Sequence, residues 1–156
     1  MKAWAGTAAL MAAVAAASPA AARQPIEPFC VELRRVVAAA GEDPSFASLP
    51  RIDGARARPM FGFRAPCGVG DRPPIAFVCQ EQLAPPEVTA ERLIAASARC
   101  LRGAVRLPDR ERDGWGGGTL LRLRYGGVVI TAAEWAHRTR GGRQSSFTVE
   151  RAAEEQ

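Results

Sequence analysis

The sequence predicts a single α+β domain: an antiparallel sheet of about five strands with two helices on one face, stapled by disulfides. Three observations predict this class. Two segments repeat apolar residues at helical spacing, and five short segments have the apolar or alternating character of strands. All four cysteines lie in the same part of the chain as these segments. The expected order is helix, two strands, helix and three strands.

The first helix is expected over residues 26–40. Apolar side chains recur in this segment at the i, i+3, i+4 and i+7 spacing of an amphipathic helix. Pro28 suits the first helical turn, where a missing backbone N–H is tolerated, and Gly41 suits the position after the last turn.

Two strands are expected next, over residues 58–64 and 75–80, because both segments are rich in aromatic or β-branched residues. Residues 66–74 lie between them and contain several prolines and glycines, which predicts a loop. Cys67 and Cys79 would then lie near the two ends of this strand–loop–strand unit.

The second half of the chain predicts one helix and a three-stranded unit. The helix is expected from Pro85 to about Leu101, before Gly103, and residues 106–118 form a polar, glycine-rich loop. The three strands, separated by glycine-containing turns, are expected over 119–125, 128–136 and 145–150.

The first 22 residues differ in composition from the rest and predict a cleavable signal peptide. Lys2 supplies a positive start, residues 3–17 are uncharged and alanine-rich, and residues 20–22 offer the small side chains that a signal peptidase accepts. A retained membrane span of about 20 residues is the alternative, but alanine is only weakly hydrophobic. We therefore expect residues 23–156 to form one exported domain without stable membrane insertion.

The composition adds an expected origin and compartment. The formal charge is +5, and Lys2 is the only lysine among 21 basic residues, a bias towards arginine that is typical of GC-rich bacterial genomes. Together with the predicted leader, this composition favours a periplasmic or secreted bacterial protein. Nucleic acid is therefore not an expected partner.

An even number of cysteines in an exported chain predicts disulfides. We favour Cys67–Cys79 within the strand–loop–strand unit and Cys30–Cys100 between the two helices. The pairing of Cys30 with Cys67 and of Cys79 with Cys100 remains open. No two cysteines have the close spacing of a zinc site, and the single histidine is distant, so neither a metal nor a cofactor is expected.

His137 is the only histidine, and it follows Glu134 in an E-x-x-H pattern. On a helix this spacing would place two metal ligands on one face, but on a strand the two side chains point to opposite faces. The chain has no G-x-S-x-G motif for a nucleophilic serine. A small hydrolase that uses His137 with Glu134 is therefore only an alternative hypothesis, and no catalytic residue is assigned.

The candidate binding residues fall into two groups. Trp115, Arg110 and Arg112 lie in the polar loop, where an aromatic residue could contact a partner. Arg122 and Arg124 alternate with leucines in a strand and are expected to point away from the core. Scattered, solvated arginines are the favoured interpretation of the remaining basic residues in a protein of modest net charge. The alternative is a basic face formed by ten arginines: Arg51, Arg56, Arg58, Arg64, Arg72, Arg122, Arg124, Arg138, Arg140 and Arg143.

These features predict a non-enzymatic binding or structural module of the bacterial envelope. The expected partner is an envelope protein or an anionic polymer or glycolipid, which arginine recognises through paired hydrogen bonds. An inhibitor or protective protein that acts on an envelope enzyme is an alternative hypothesis, in which the loop with Trp115 would contact the enzyme.

Overall fold

The computed structural model describes residues 26–108, 118–137, 139 and 141–153. The signal peptide predicted over residues 1–22 lies outside this part of the chain. The elements in chain order are α1 (Ile26–Ala40), β1 (Arg58–Pro59), β2 (Pro66–Val69), β3 (Ala76–Glu81), α2 (Ala90–Cys100), β4 (Val105–Arg106), β5 (Thr119–Tyr125), β6 (Val128–Ala136) and β7 (Arg143–Arg151).

The strands form one antiparallel sheet of 7 strands in the order β1-β2-β3-β7-β6-β5-β4. The α+β class is confirmed, and the three strands from β5 to β7 match the predicted C-terminal unit. The sheet has more strands than the five expected, because β2 and β4 were not predicted. The last strand in sequence, β7, lies in the middle of the sheet between β3 and β6.

Both helices pack on one face of this sheet. Phe29 of α1 lies against Phe147 of β7, with ring centroids 6.3 Å apart. The backbone N–H of Ala90, the first residue of α2, donates a hydrogen bond to Glu134 in β6. Phe147 pairs with Ala132, which lies two positions from Glu134, so both contacts are made from the same side of the sheet.

The core lies between this face and the two helices. Its buried members come from both layers: Leu33 and Val36 of α1, Ile94 of α2, and Phe77, Ile130, Phe147 and Val149 of the sheet. Helix α1 has the predicted bounds, because its apolar stripe faces this core.

Helix α2 begins later than predicted, at Ala90 and not at Pro85. Thr89 is its N-cap, and the hydroxyl of Thr89 accepts a hydrogen bond from the backbone N–H of Arg92 at 3.1 Å. The two prolines before this cap do not enter the helix. Arg143 binds the backbone carbonyls of both of them from the sheet.

The first predicted strand is much shorter than expected. Residues 58–64 were predicted as a strand, but only Arg58–Pro59 pairs with the sheet. Phe61 has a φ of 56°, which lies in the left-handed region and turns the chain out of the extended conformation. The ring of Phe61 then packs in the core.

The second correction concerns residues 66–74, which were predicted as a loop but contain β2. Gly68, one of the residues behind that prediction, is required by the close approach of a neighbouring segment. A Cβ atom on Gly68 would lie 2.6 Å from the Cα atom and the backbone nitrogen of Ile52. The glycine therefore permits packing at this position and does not mark a turn.

The two disulfides join Cys30 to Cys100 and Cys67 to Cys79, which is the favoured connectivity of the two considered. The first connects α1 to the last residue of α2. The second joins directly paired residues of β2 and β3.

The described part of the chain contains no helix that is both long and apolar enough to cross a membrane.

Candidate binding face

The side of the sheet opposite the helices is the candidate site. Alternate residues of a strand point to opposite faces, so the neighbours of the core residues in β3, β5, β6 and β7 point outward. We call this surface the outer face and define it by Val78, Gln80, Leu120, Arg122, Arg124, Val129, Thr131, Ala133, Trp135, Gln144, Ser146, Thr148 and Glu150.

The strand register aligns these side chains in rows across the sheet. One row consists of Arg122, Thr131, Thr148 and Val78, and the next consists of Leu120, Ala133, Ser146 and Gln80. Most of these side chains are short or uncharged, so the rows form a mixed polar and apolar surface from which the long arginine side chains extend.

The structure places both predicted strand arginines on this face. Leu121 and Leu123, which flank Arg122, are buried towards the helices, so Arg122 points outward. Arg122 is half-buried and its side chain forms no hydrogen bond or ion pair with the described residues, whereas Arg124 is exposed. The guanidinium donors of Arg122 are thus available to an acceptor on another molecule.

Trp135 is a residue of this face that sequence reasoning did not select. It lies near one end of the face and pairs across the strands with Gln144. Its indole N–H donates a hydrogen bond to the side-chain oxygen of Gln144. The alternation that it shares with Thr131 and Ala133 would have been enough to place it on the outer face.

Three of the ten arginines that the alternative interpretation grouped into a basic face bind other parts of the fold: Arg58, Arg64 and Arg143. Arg64 donates to the carboxylate of Glu81 at 2.8 Å and to the carbonyl oxygen of Leu83 at 2.5 Å. Arg58 donates to Glu32 of α1. These arginines stabilise contacts between elements, so the basic residues do not form one continuous surface.

Arg143 is the third of these arginines, and it holds the segment that leads into α2. One of its terminal nitrogens donates to the carbonyl oxygens of Pro85, Pro86 and Val88 at 3.0, 3.2 and 3.2 Å. The hydroxyl of Ser145, which is fully buried, also donates to the carbonyl of Val88 at 3.1 Å. This cluster is structural, because its polar groups satisfy the backbone carbonyls of the segment before α2, in which Pro85 and Val88 are buried.

Glu134 belongs to the same cluster. Its carboxylate accepts a hydrogen bond of 2.9 Å from the backbone N–H of Ala90 and lies 3.9 Å from the guanidinium of Arg143. The first N–H groups of a helix lack partners within the helix, and a negative charge there is favourable. Glu134 thus caps α2 from the sheet.

We predict that Glu134→Ala lowers the free energy of unfolding by about 1–2 kcal/mol, since it leaves the N–H of buried Ala90 without an acceptor. Glu134→Gln keeps an acceptor oxygen and should lose less. Urea denaturation of both variants checks this prediction, and equal stability of Glu134→Ala and wild type would contradict the capping role.

His137 does not share a face with Glu134. Its backbone N–H donates to the carbonyl of Gly142 at 3.0 Å, which extends the β6–β7 ladder by one pair, and its Nδ1 atom accepts from the N–H of Thr139 at 3.3 Å. The strand alternation then places His137 on the side of the outer face and Glu134 on the side of the helices.

Trp115, Arg110 and Arg112 of the polar loop lie outside the described residues, as do Arg138 and Arg140. Among the residues that the structure describes, no group of three or more histidine, cysteine, aspartate or glutamate side chains could hold a metal ion.

Comparison with known protein families, curated proteins and solved structures finds no match to this chain in any of the three.

Proposed function

We propose that the chain is an exported, non-enzymatic binding module of the bacterial envelope, and that its outer face binds an acidic protein. The main observation in support of this proposal is the position of the Arg122 side chain on the outer face. Arg122 is a half-buried arginine in the middle of β5 on this face, and its guanidinium forms no hydrogen bond or ion pair with any described residue. Arginine in such a setting favours bidentate contact with a carboxylate.

Export is supported by the cysteines and by the composition of the first 22 residues. Both disulfides are buried and use all four cysteines. Such bonds persist in the periplasm or outside the cell and are rare in the cytosol. The positive, alanine-rich start of the sequence resembles a secretory leader in its pattern.

The chemistry of the outer face favours a protein over an anionic polymer. Its charged residues are two arginines and one glutamate, which is a weak positive charge for a polyanion. The remaining positions combine an aromatic residue with small, aliphatic and hydroxyl side chains. Arginine and aromatic residues among uncharged neighbours are typical of protein–protein interfaces.

A non-enzymatic role is supported by how the candidate catalytic pair is used. The hydrolase hypothesis requires the carboxylate of Glu134 to act together with His137. That carboxylate instead binds the backbone N–H of Ala90 beside Arg143, and the alternation directs His137 to the opposite side of the sheet.

The test is capture of a partner from an envelope extract of the source cells with the immobilised, oxidised protein. We expect the wild type to retain one acidic protein in stoichiometric amount, and Arg122→Ala to weaken its binding by about tenfold, the loss expected for an interface arginine. The matched control is Arg99→Ala, because Arg99 is exposed on α2, on the helix side of the sheet.

Two outcomes would contradict the proposal. In the first, Arg122→Ala retains the protein as strongly as Arg99→Ala does. In the second, the wild type retains only a phosphorylated polymer or glycolipid.

A further inference from the structure

A cleft beside α1, separate from the outer face, supports a second proposal. It lies between α1 and the segments around residues 47–50 and 56–60, and its volume is about 250 Å³. Its accessible apolar lining includes Ala47, Pro50 and Met60, and the buried core residues Val36 and Phe77 lie at its base. Its charged lining consists of Arg35, Arg56, Arg58 and Glu32.

The three arginines are only partly neutralised. Arg58 donates a hydrogen bond to Oε1 of Glu32, and a terminal nitrogen of Arg35 lies 4.0 Å from Oε2 of the same carboxylate. That Oε2 atom is buried and accepts no hydrogen bond. Arg56 is exposed and forms no ion pair or hydrogen bond with the described residues. One carboxylate and three guanidinium groups thus line the cleft, and the carboxylate lies beside two of the three.

The wall of the cleft opposite α1 contains a hydrogen bond between Ser48 and Glu42. The backbone N–H of Ser48, which lines the cleft, donates to the carboxylate of Glu42 at 2.8 Å. Hydrogen bonds from the side chain and backbone of Ser48 lower the pKa of Glu42 below its ordinary value. The Glu42 carboxylate is therefore ionised near neutral pH, where it accepts this hydrogen bond from the turn.

We propose that this cleft binds a small phosphate monoester through Arg35, Arg56 and Arg58, with the organic group against the apolar lining. Three arginines and one glutamate leave an excess of two positive charges, which a phosphate monoester of about −2 matches and a carboxylate does not. Arginine binds phosphate oxygens in pairs. The volume lies just below the ~300 Å³ at which small-molecule pockets begin, so the ligand is small.

The phosphate monoester could be free in solution or could be the headgroup of a lipid, and two probes distinguish these sources. Phenyl phosphate represents the soluble ligand, since it joins a dianion to an apolar ring of suitable size. Vesicles with phosphatidic acid present the same group on a surface, and vesicles of phosphatidylcholine alone are the control.

The experiment is isothermal titration of the oxidised, full chain with phenyl phosphate. We expect saturable one-to-one binding, and benzenesulfonate, a monoanion of similar shape, should bind at least about tenfold more weakly. Arg56→Ala should weaken phenyl phosphate binding about tenfold without changing the melting temperature, because this side chain has no partner among the described residues. Arg72→Ala is the control, since Arg72 is exposed and does not line the cleft.

The proposal is overturned if neither phenyl phosphate nor phosphatidic acid vesicles bind, or if Arg56→Ala binds as well as Arg72→Ala. Binding to the vesicles alone, with the same loss in Arg56→Ala, would identify the lipid as the source. Arg122→Ala should bind phenyl phosphate like the wild type, so failure of this inference and failure of the proposed function are separable.

Discussion

Replacing Phe147 with alanine should lower the free energy of unfolding by about 3–5 kcal/mol, the usual loss for a phenyl group removed from a core. Phe147 is fully buried in β7. Its ring centroid lies 5.0 Å from that of Phe61 and 6.3 Å from that of Phe29. These rings come from the β1–β2 connection and from α1, so the cavity would open where three parts of the fold meet.

Urea denaturation followed by circular dichroism measures this loss. Val105→Ala is the control, because Val105 is 61% exposed at the edge of the sheet and its truncation should change stability by less than about 0.5 kcal/mol. A loss below about 1 kcal/mol in Phe147→Ala would show that the aromatic cluster does not hold α1 on the sheet.

Removing the Cys30–Cys100 disulfide should destabilise the protein by about 4 kcal/mol. The bond closes a loop with a sequence separation of 70. In the chain-entropy account, loss of such a link frees the unfolded chain by about this amount. The shorter Cys67–Cys79 loop, with a separation of 12, corresponds to about 3 kcal/mol.

The variant Cys30→Ala/Cys100→Ala tests this prediction by urea denaturation. Alanine is a suitable replacement at both positions because it is small and apolar, and each cysteine is only 5% exposed. The comparison protein is wild type in excess reductant, which also loses the second bond and should be less stable still. If the variant equals the oxidised wild type within about 1 kcal/mol, the helices are held by packing alone.

The regular elements of this fold could be predicted because their patterns are local. The buried leucines and outward arginines of β5 alternate with the strand period, and Gly126-Gly127 marks the turn to β6. The apolar stripe of α1 likewise matches a helix that rests on a sheet.

The elements that were missed depend on contacts that no local pattern encodes. Strand β2 contains a proline and a glycine, and Gly68 is explained only by the distant segment at Ile52. Strand β4 has two residues, too few for a periodic signal. The late start of α2 reflects carbonyls held by Arg143, far along the sequence.

Of the two candidate sites, the outer face could be predicted from the sequence but the cleft could not. Alternation alone was enough to place Arg122 and Arg124 on the outer face. The cleft could not be predicted, because Glu32 and Arg58 are brought together only when β1 packs beside α1. Composition also could not show that Arg143 binds backbone carbonyls within the fold whereas Arg56 is exposed.

The central position of β7 determines when the sheet can be completed. Strand β3 pairs with β7 from Ala76–Glu150 to Glu81–Ser145, and β6 occupies the other edge of β7. The halves of the sheet therefore cannot join until the latest of the strands has been synthesised, and long-range pairings of this kind form slowly. Until β7 is available, the growing chain cannot complete this sheet.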